Sequence, residues 1–187
     1  ERSINFPGWN VSLARTGTRL VATANIADST VAVIDISDAE NPRVTSSLAN
    51  SAYIAEVADS GNAVYACGVY DKVFMYEIDA AGGLVNRGAL DVYAQHVAAS
   101  SNKLATVQFG EFRLYDISSP FAPVLIGAIT NSSSDFGRVT FSPSGDVAYV
   151  AATTGLITVQ TAGEAPTAPS LTIIDEGEMH RVRWSAD

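Results

Sequence analysis

The sequence predicts an all-β protein built from repeated four-stranded antiparallel sheets, and three observations predict it. An acidic residue that ends a strand-like segment recurs as Asp35, Glu77 and Asp116, with Gln160 at the fourth place, at spacings of 42, 39 and 44 residues. A second strand-like segment precedes each of these residues, and a turn-forming segment follows it. No segment of helical length carries apolar residues at a 3.6-residue period. A repeat of about 40 residues made only of short strands indicates one sheet per repeat.

The predicted strands follow one another in the same order in every repeat. The first, inner strand covers residues 11–14, 56–58, 97–99 and 139–142. The second strand covers residues 19–23, 63–67, 103–107 and 147–151. The third strand covers residues 29–37, 72–78, 111–118 and 156–160. These segments are rich in valine, isoleucine, threonine and tyrosine, which suit the pleated, half-buried surface of a sheet.

A turn separates the third predicted strand of each repeat from the fourth. The turn contains proline in three repeats, at Pro42, Pro123 and Pro169, and the sequence Ala81-Gly82-Gly83 in the second repeat. Proline presets a backbone angle that turns require, and glycine reaches angles that other residues avoid. A short apolar strand is therefore expected after each proline turn, at residues 44–48, 124–129 and 171–174.

These elements divide the chain into repeats of approximately residues 10–54, 55–95, 96–137 and 138–180. Residues 181–187 match the start of the fourth repeat, so we expect them to begin a further one. Three arrangements follow: a segment of a longer chain, a half that pairs with a second copy to reach about eight repeats, or a ring of four that the last strand closes. An open arc would leave two unpaired sheet edges, which proteins usually avoid.

Three stretches carry a resemblance to known repeats. Residues 33–42, V-I-D-I-S-D-A-E-N-P, and 114–120, L-Y-D-I-S-S-P, are similar to the repeat of the LVIVD β-propellers of bacterial and archaeal surface proteins. Residues 141–151, F-S-P-S-G-D-V-A-Y-V-A, resemble the inner hairpin of YVTN and WD40 propellers. The resemblance implies a β-propeller of four-stranded blades, about four in this chain plus the first strand of another. It also implies recognition or scaffolding, without shared catalytic residues, at an extracellular or cell-surface location.

Composition and charge argue against several classes of partner. The chain has 11 basic and 20 acidic residues and a net charge of -9, which would repel the phosphates of nucleic acid. Its apolar runs are far shorter than the roughly 20 residues that cross a bilayer. The single cysteine, Cys67, lies in a predicted buried strand. We therefore expect no nucleic-acid partner, no membrane span and no reactive thiol.

The sequence predicts no catalytic residue, no cofactor and no metal site. The two histidines, His96 and His180, lack the close spacing of zinc ligands. The chain has neither a glycine-rich phosphate loop nor a nucleophile motif. The acids Asp35, Glu77 and Asp116 recur with the repeat, so we expect them to accept hydrogen bonds in the adjoining turns instead of taking part in catalysis.

The loops that do not follow the repeat indicate where a partner would bind. In a propeller, the loop entering each first strand and the loop between the second and third strands emerge on one face. Here that face would gather aromatic and charged side chains, the types enriched at binding hot spots. The residues expected to contact a partner are Trp9, Tyr53, Tyr70, Tyr93, His96, Phe109, Arg138, His180 and Arg181.

Two functions are consistent with this pattern. The first is a non-enzymatic binding or structural module that contacts a protein or glycan through the loop face, and that could also associate with copies of itself or with the remainder of a longer chain. The alternative is the propeller domain of an enzyme, lactonase-like or dehydrogenase-like, with its chemistry in the central channel. An enzyme of that kind would place several carboxylates or histidines together at one mouth of the channel.

Overall fold

The all-β prediction is confirmed by the structure, a computed structural model. It describes residues 8, 12–25, 29–69, 71–130 and 135–161, and the backbone of two further strands within residues 170–185. These residues form strands β1 to β17 and no helix. The strands belong to four sheets, and the chain divides into two compact units, residues 1–95 and residues 96–187.

The first unit contains two four-stranded antiparallel sheets, each with its strands side by side in chain order. The first sheet consists of β1 (Leu13–Thr16), β2 (Arg19–Asn25), β3 (Ser29–Asp35) and β4 (Arg43–Asn50). The second sheet consists of β5 (Ile54–Ser60), β6 (Ala63–Gly68), β7 (Val73–Ile78) and β8 (Leu84–Leu90). The predicted order of four strands per repeat is therefore the observed order in both sheets.

The second unit also contains two sheets, and the first of them repeats the same pattern. The third sheet of the chain consists of β9 (His96–Ser100), β10 (Lys103–Gln108), β11 (Glu111–Asp116) and β12 (Val124–Thr130). The fourth sheet has five strands in the order β13-β14-β15-β17-β16. Its strands are β13 (Phe136–Phe141), β14 (Val147–Ala152), β15 (Gly155–Gln160), β16 (Ser170–Glu176) and β17 (Met179–Ser185).

The end of the chain differs from the simple repeat. The sequence places the strand after Pro169 next to the third strand, and residues 181–187 in a further repeat. In the structure β17 lies between β15 and β16, parallel to β15 and antiparallel to β16. Residues 181–185 are thus members of the fourth sheet here. The repeat boundaries, and a further blade beginning at residue 181, stay predictions.

A bulge recurs between the third and fourth strands of the first three sheets. The register shifts after Val33, after Met75 and after Leu114, in each case two residues before the recurring acid. A bulge adds one residue to one strand and increases the local twist. The repeat seen in the sequence is therefore also a repeat of backbone geometry.

The recurring acids bind their turns, as expected. Asp35 Oδ1 accepts a 2.9 Å hydrogen bond from the backbone N–H of Ser37, and Asp116 Oδ1 accepts one of 2.7 Å from Ser118. These bonds favour the charged carboxylate and lower the pKa of both aspartates. Glu77 differs, since it accepts hydrogen bonds from the side chains of Asn62 and Arg87.

Each unit has its own apolar core between its two sheets. In the first unit Val21, Val31 and Val33 of the first sheet pack with residues of the second sheet that include Val64 and Tyr76. In the second unit the corresponding faces meet through the following side chains: Ala105, Val107, Phe112, Leu114, Ile129, Phe136, Val139, Ala148, Val150, Ile157 and Val159. On the second and third strands alternate residues enter these cores, for example Val31 and Val33 of β3.

Candidate binding surface

The two kinds of loop that the sequence analysis pooled lie at the same end of a sheet. In the second sheet the N–H of Val69, after the second strand, donates a 2.7 Å hydrogen bond to the carbonyl of Tyr53, which precedes the first strand. In the fourth sheet the N–H of Thr153 donates a 3.0 Å hydrogen bond to the carbonyl of Asp135 in the equivalent places. Within these two sheets, the loop before the first strand and the loop after the second strand therefore lie at the same end, as predicted.

Phe109 is the most unusual residue at the loop end of the third sheet. It forms, with Gly110, the turn between β10 and β11, and its φ of 36° is the only positive φ of a non-glycine residue among those the structure describes. A bulky residue in the left-handed region costs about 1–2 kcal/mol. Phe109 is nevertheless 56% exposed, so much of this residue is open to solvent. Strained residues of this kind cluster at functional sites.

His96 and an ion pair lie near this turn. His96 begins β9 and is paired with Val107, two residues before Phe109. On β11, Arg113 donates a 2.9 Å hydrogen bond to Glu111 from Nε, and the two side chains form a half-exposed ion pair. The loop end of the third sheet therefore combines an exposed ring, an imidazole and a fixed pair of opposite charges.

In the first unit, Tyr53 and Tyr93 are the exposed aromatic residues of the predicted set. Tyr53 is 46% exposed and Tyr93 is 62% exposed. Beside Tyr53, the β6–β7 turn is held by a hydrogen bond of 3.1 Å from the N–H of Asp71 to the carbonyl of Gly68. Trp9 and Tyr70, which belong to the same predicted set, lie outside the described residues.

Arg138, His180 and Arg181 are placed on strands. Arg138 is an exposed residue of β13. His180 and Arg181 belong to β17 and are paired with Ile157 and Thr158 of β15. The sequence analysis had assigned these three residues to loops that enter first strands, so their grouping with Phe109 and His96 stays a prediction.

The structure also bears on the expectations for the cysteine, for a metal site and for a membrane span. Cys67 is fully buried and its thiol donates a hydrogen bond to the carbonyl of Gln95, which agrees with the structural role expected for it. Among the described residues, no three His, Cys, Asp or Glu side chains form a group that could hold a metal ion. In the same part of the chain, no helix has the length and apolar character to cross a membrane.

One exposed surface was not predicted from the sequence. Tyr149 of β14 is 36% exposed and Leu156 of β15 is 43% exposed, and both lie on the face of the fourth sheet that points away from the core of the second unit. The repeat carried no signal of this exposure, because Tyr149 occupies the place that Tyr65 has in the second repeat. Tyr65 is fully buried.

The four repeated sheets define a β-propeller, and solved structures confirm that class. The designed protein Ika4 matches with a TM-score of 0.64 and 16% identity, over 86% of this chain and 96% of Ika4. Sqt1 of Chaetomium thermophilum, in a structure bound to the N-terminus of ribosomal protein L10, matches with a TM-score of 0.65 and 18% identity, over 82% of this chain and 47% of Sqt1.

The designed protein Ika8 matches with a TM-score of 0.60 and 16% identity, over 88% of this chain and 53% of Ika8. The chain thus spans about half the length of Sqt1 and Ika8. No protein-family profile and no curated protein matches the sequence. The likenesses show a β-propeller fold, and no particular family is identified.

Proposed function

We propose that this chain is a non-enzymatic binding module that holds a segment of a protein partner at the loop end of its sheets. The carrying observation is Phe109, an aromatic residue that is 56% exposed and lies in a left-handed turn that bulky residues rarely adopt. An exposed aromatic side chain with few rotatable bonds offers contact area at a low cost in entropy. Glu111 follows the turn directly, and its ion pair with Arg113 places two charged groups on one face of the sheet at this end. His96 is paired with Val107, on the opposite face.

The structural neighbours support a propeller scaffold of the binding type. Sqt1 was solved bound to the N-terminus of a ribosomal protein, so a related fold is known to hold a protein segment. At 18% identity this likeness carries the fold alone, and the partner of Sqt1 is not carried over. The resemblance to LVIVD-repeat surface proteins adds an extracellular or cell-surface location to the proposal.

Selection of peptide ligands tests the proposal. A random-peptide phage library is selected on the immobilised protein, and the selected peptides are then measured against the wild type and F109N. Asn accepts the left-handed turn, so F109N removes the ring and keeps the backbone conformation. The matched control is V124T, which changes a 61% exposed apolar residue on the edge strand β12.

We expect F109N to weaken binding by at least about tenfold, the effect of losing about 1.4 kcal/mol of contact, and V124T to leave it unchanged. Selected peptides that bind F109N as well as the wild type would overturn the proposed face. A glycan array probed with the wild type and F109N tests the second class of partner. Glycan binding that depends on Phe109, without any such peptide binding, would replace the protein partner by a carbohydrate.

A further inference from the structure

The outer strand of the third sheet, β12, is an edge strand with an apolar surface. In the part of the chain that the structure describes, β12 pairs only with β11, so the other side of its backbone has no neighbouring strand there. Its first three residues, Val124, Leu125 and Ile126, are 61%, 52% and 38% exposed. An edge strand presents a row of N–H and C=O groups that can pair with a further strand.

The outer strand of the first sheet, β4, carries an arginine where β12 is apolar. Arg43 of β4 lies opposite Asp35 and forms an ion pair with it at 3.2 Å. In the third sheet the residue opposite the recurring acid Asp116 is Val124. Charged side chains on an edge strand hinder its pairing with another chain. β12 therefore lacks this protection at the place where β4 has it.

The bulges of the second and third sheets show the same contrast. The extra residue of the bulge is Arg87 in β8 and Ile126 in β12. Arg87 donates a 2.7 Å hydrogen bond from Nε to Glu77, so a charge stays at that edge. No charged residue occurs in the sequence between Asp116 and Asp135, which includes the turn before β12 and all of β12. The third sheet thus keeps the bulge without the charge that accompanies it in the second sheet.

We infer that β12 pairs with the β12 strand of a second copy of the chain. Two identical strands related by a two-fold axis run antiparallel, so each supplies the N–H and C=O partners of the other and apolar side chains meet apolar side chains. Like charges placed opposite each other destabilise a strand pair, and β12 brings none into the contact. The chain has a net charge of -9, so two copies repel each other in general, and this uncharged strand is where they meet with least repulsion.

Size-exclusion chromatography with light scattering tests the inference on the whole chain. We expect the wild type to have about twice the mass of the 19.6 kDa chain and to dissociate on dilution. V124R supplies the arginine that β4 has opposite its acid, and it should raise the dissociation constant at least about tenfold, because the contact would desolvate a charge. The matched control is V44R, which adds the same charge at a 43% exposed valine of β4 and should leave the mass unchanged.

Hydrogen exchange on the wild type gives a readout that needs no variant. Pairing with a second strand protects the amides of β12 that point away from β11, so their protection should rise with protein concentration. Protection of β4, the equivalent strand of the first sheet, should stay constant. A dimeric sample in which β12 gains no protection would contradict the proposed edge.

A wild type with the mass of one chain at every concentration would overturn the inference, and so would a dimer that V44R dissociates and V124R does not. If the wild type is monomeric and V124R abolishes the binding of selected peptides, the edge pairs with a segment of another protein instead. Val124 lies opposite Asp116, at the other end of β11 from Phe109. Loss of peptide binding in F109N is therefore independent of the mass of the wild type.

Discussion

The side-chain amide of Asn50 donates a 2.7 Å hydrogen bond to the hydroxyl of Tyr76, and both residues are buried. Asn50 ends the last strand of the first sheet, and Tyr76 lies on the third strand of the second sheet. The other end of the Asn50 amide accepts a 2.9 Å hydrogen bond from the N–H of Ala52. One side chain thus fixes both the connection between the sheets and the packing of a core ring.

Removing the hydroxyl of Tyr76 should destabilise the protein by about 1–3 kcal/mol. The variant Y76F keeps the ring in the core and leaves the Asn50 amide buried without its acceptor, which is the costly way to break a hydrogen bond. Equilibrium urea denaturation measures the change. The matched control is Y149F, which removes the hydroxyl of a partly exposed tyrosine and should change stability by a few tenths of a kcal/mol. Equal effects of the two variants would show that the buried hydrogen bond adds nothing.

Asn25 makes the second polar connection between the sheets of the first unit. Its Nδ2 donates a 2.7 Å hydrogen bond to the carbonyl of Ile54, and its Oδ1 accepts one of 3.2 Å from the N–H of the same residue. Ser29 donates a further hydrogen bond to Oδ1. Asn25 is 4% exposed, so this side chain satisfies the backbone of Ile54 where water does not reach it freely.

The variant N25D should lose about 3 kcal/mol of stability at pH 7, because a buried carboxylate cannot donate to the Ile54 carbonyl and is desolvated. The folded state then raises the pKa of this aspartate, so the loss should shrink as the pH falls toward the unfolded value of about 4. Urea denaturation at several pH values measures both effects. N86D is the control, since the exposed Asn86 uses only its Oδ1, as an acceptor for the N–H of Gly88. A pH-independent loss in N25D would contradict the argument.

The strand order was predictable because it depends on short-range patterns that occur several times. Valine-rich segments, turns with proline or glycine and an acid after the third strand give the same four strands in the first three repeats, and averaging over repeats removes local ambiguity. The roles of Asp35 and Asp116 were predictable for the same reason, since the bond from residue i+2 to a carboxylate is local.

Features that depend on distant contacts were not predictable. The match between residues 181–187 and the fourth repeat indicates a first strand, but the pairing of β17 with β15 depends on which neighbour is available in three dimensions. The strained turn at Phe109 could not be detected in the sequence, because two-residue turns of this kind usually carry Asn-Gly or Asp-Gly. The exposure of Tyr149 could not be read from a residue pattern that it shares with the buried Tyr65.

The pKa values of two aspartates should be shifted in opposite directions from the usual value. Hydrogen bonds from Ser118 lower the pKa of Asp116, and burial raises the pKa of Asp59 despite a hydrogen bond from Thr16. NMR titration of the side-chain carboxyl carbons should therefore find Asp116 below 3.8 and Asp59 above it. The reverse order would contradict the described environments of the two groups.

The same directions predict opposite effects of amide substitution on stability. A lowered pKa contributes stability that is present above the unfolded value and is lost as the pH falls through the folded one, so D116N should destabilise the protein near neutral pH. A raised pKa contributes stability that is present at low pH, and this contribution is lost as the pH rises through the pKa of the folded state. D59N should therefore be more stable than the wild type at pH 7 and lose this advantage near pH 3. Urea denaturation of the pair at both pH values checks the signs.

Phe109 should be replaceable with a gain in stability, because the proposed role of its ring is to bind and not to fold. Asn adopts the left-handed conformation more readily than a bulky residue, and an Asn-Gly pair is favoured in this type of turn. F109N should therefore be more stable than the wild type by about 1 kcal/mol in urea denaturation, close to the lower end of the cost of a bulky residue at positive φ. The control G110A addresses the same turn, where Gly110 has a φ of 76°, and should lower stability instead. If F109N is more stable and no longer binds the selected peptides, Phe109 is kept in this turn for contact at the expense of stability. A loss of stability in F109N would instead make the ring a structural element and remove the observation that carries the proposed function.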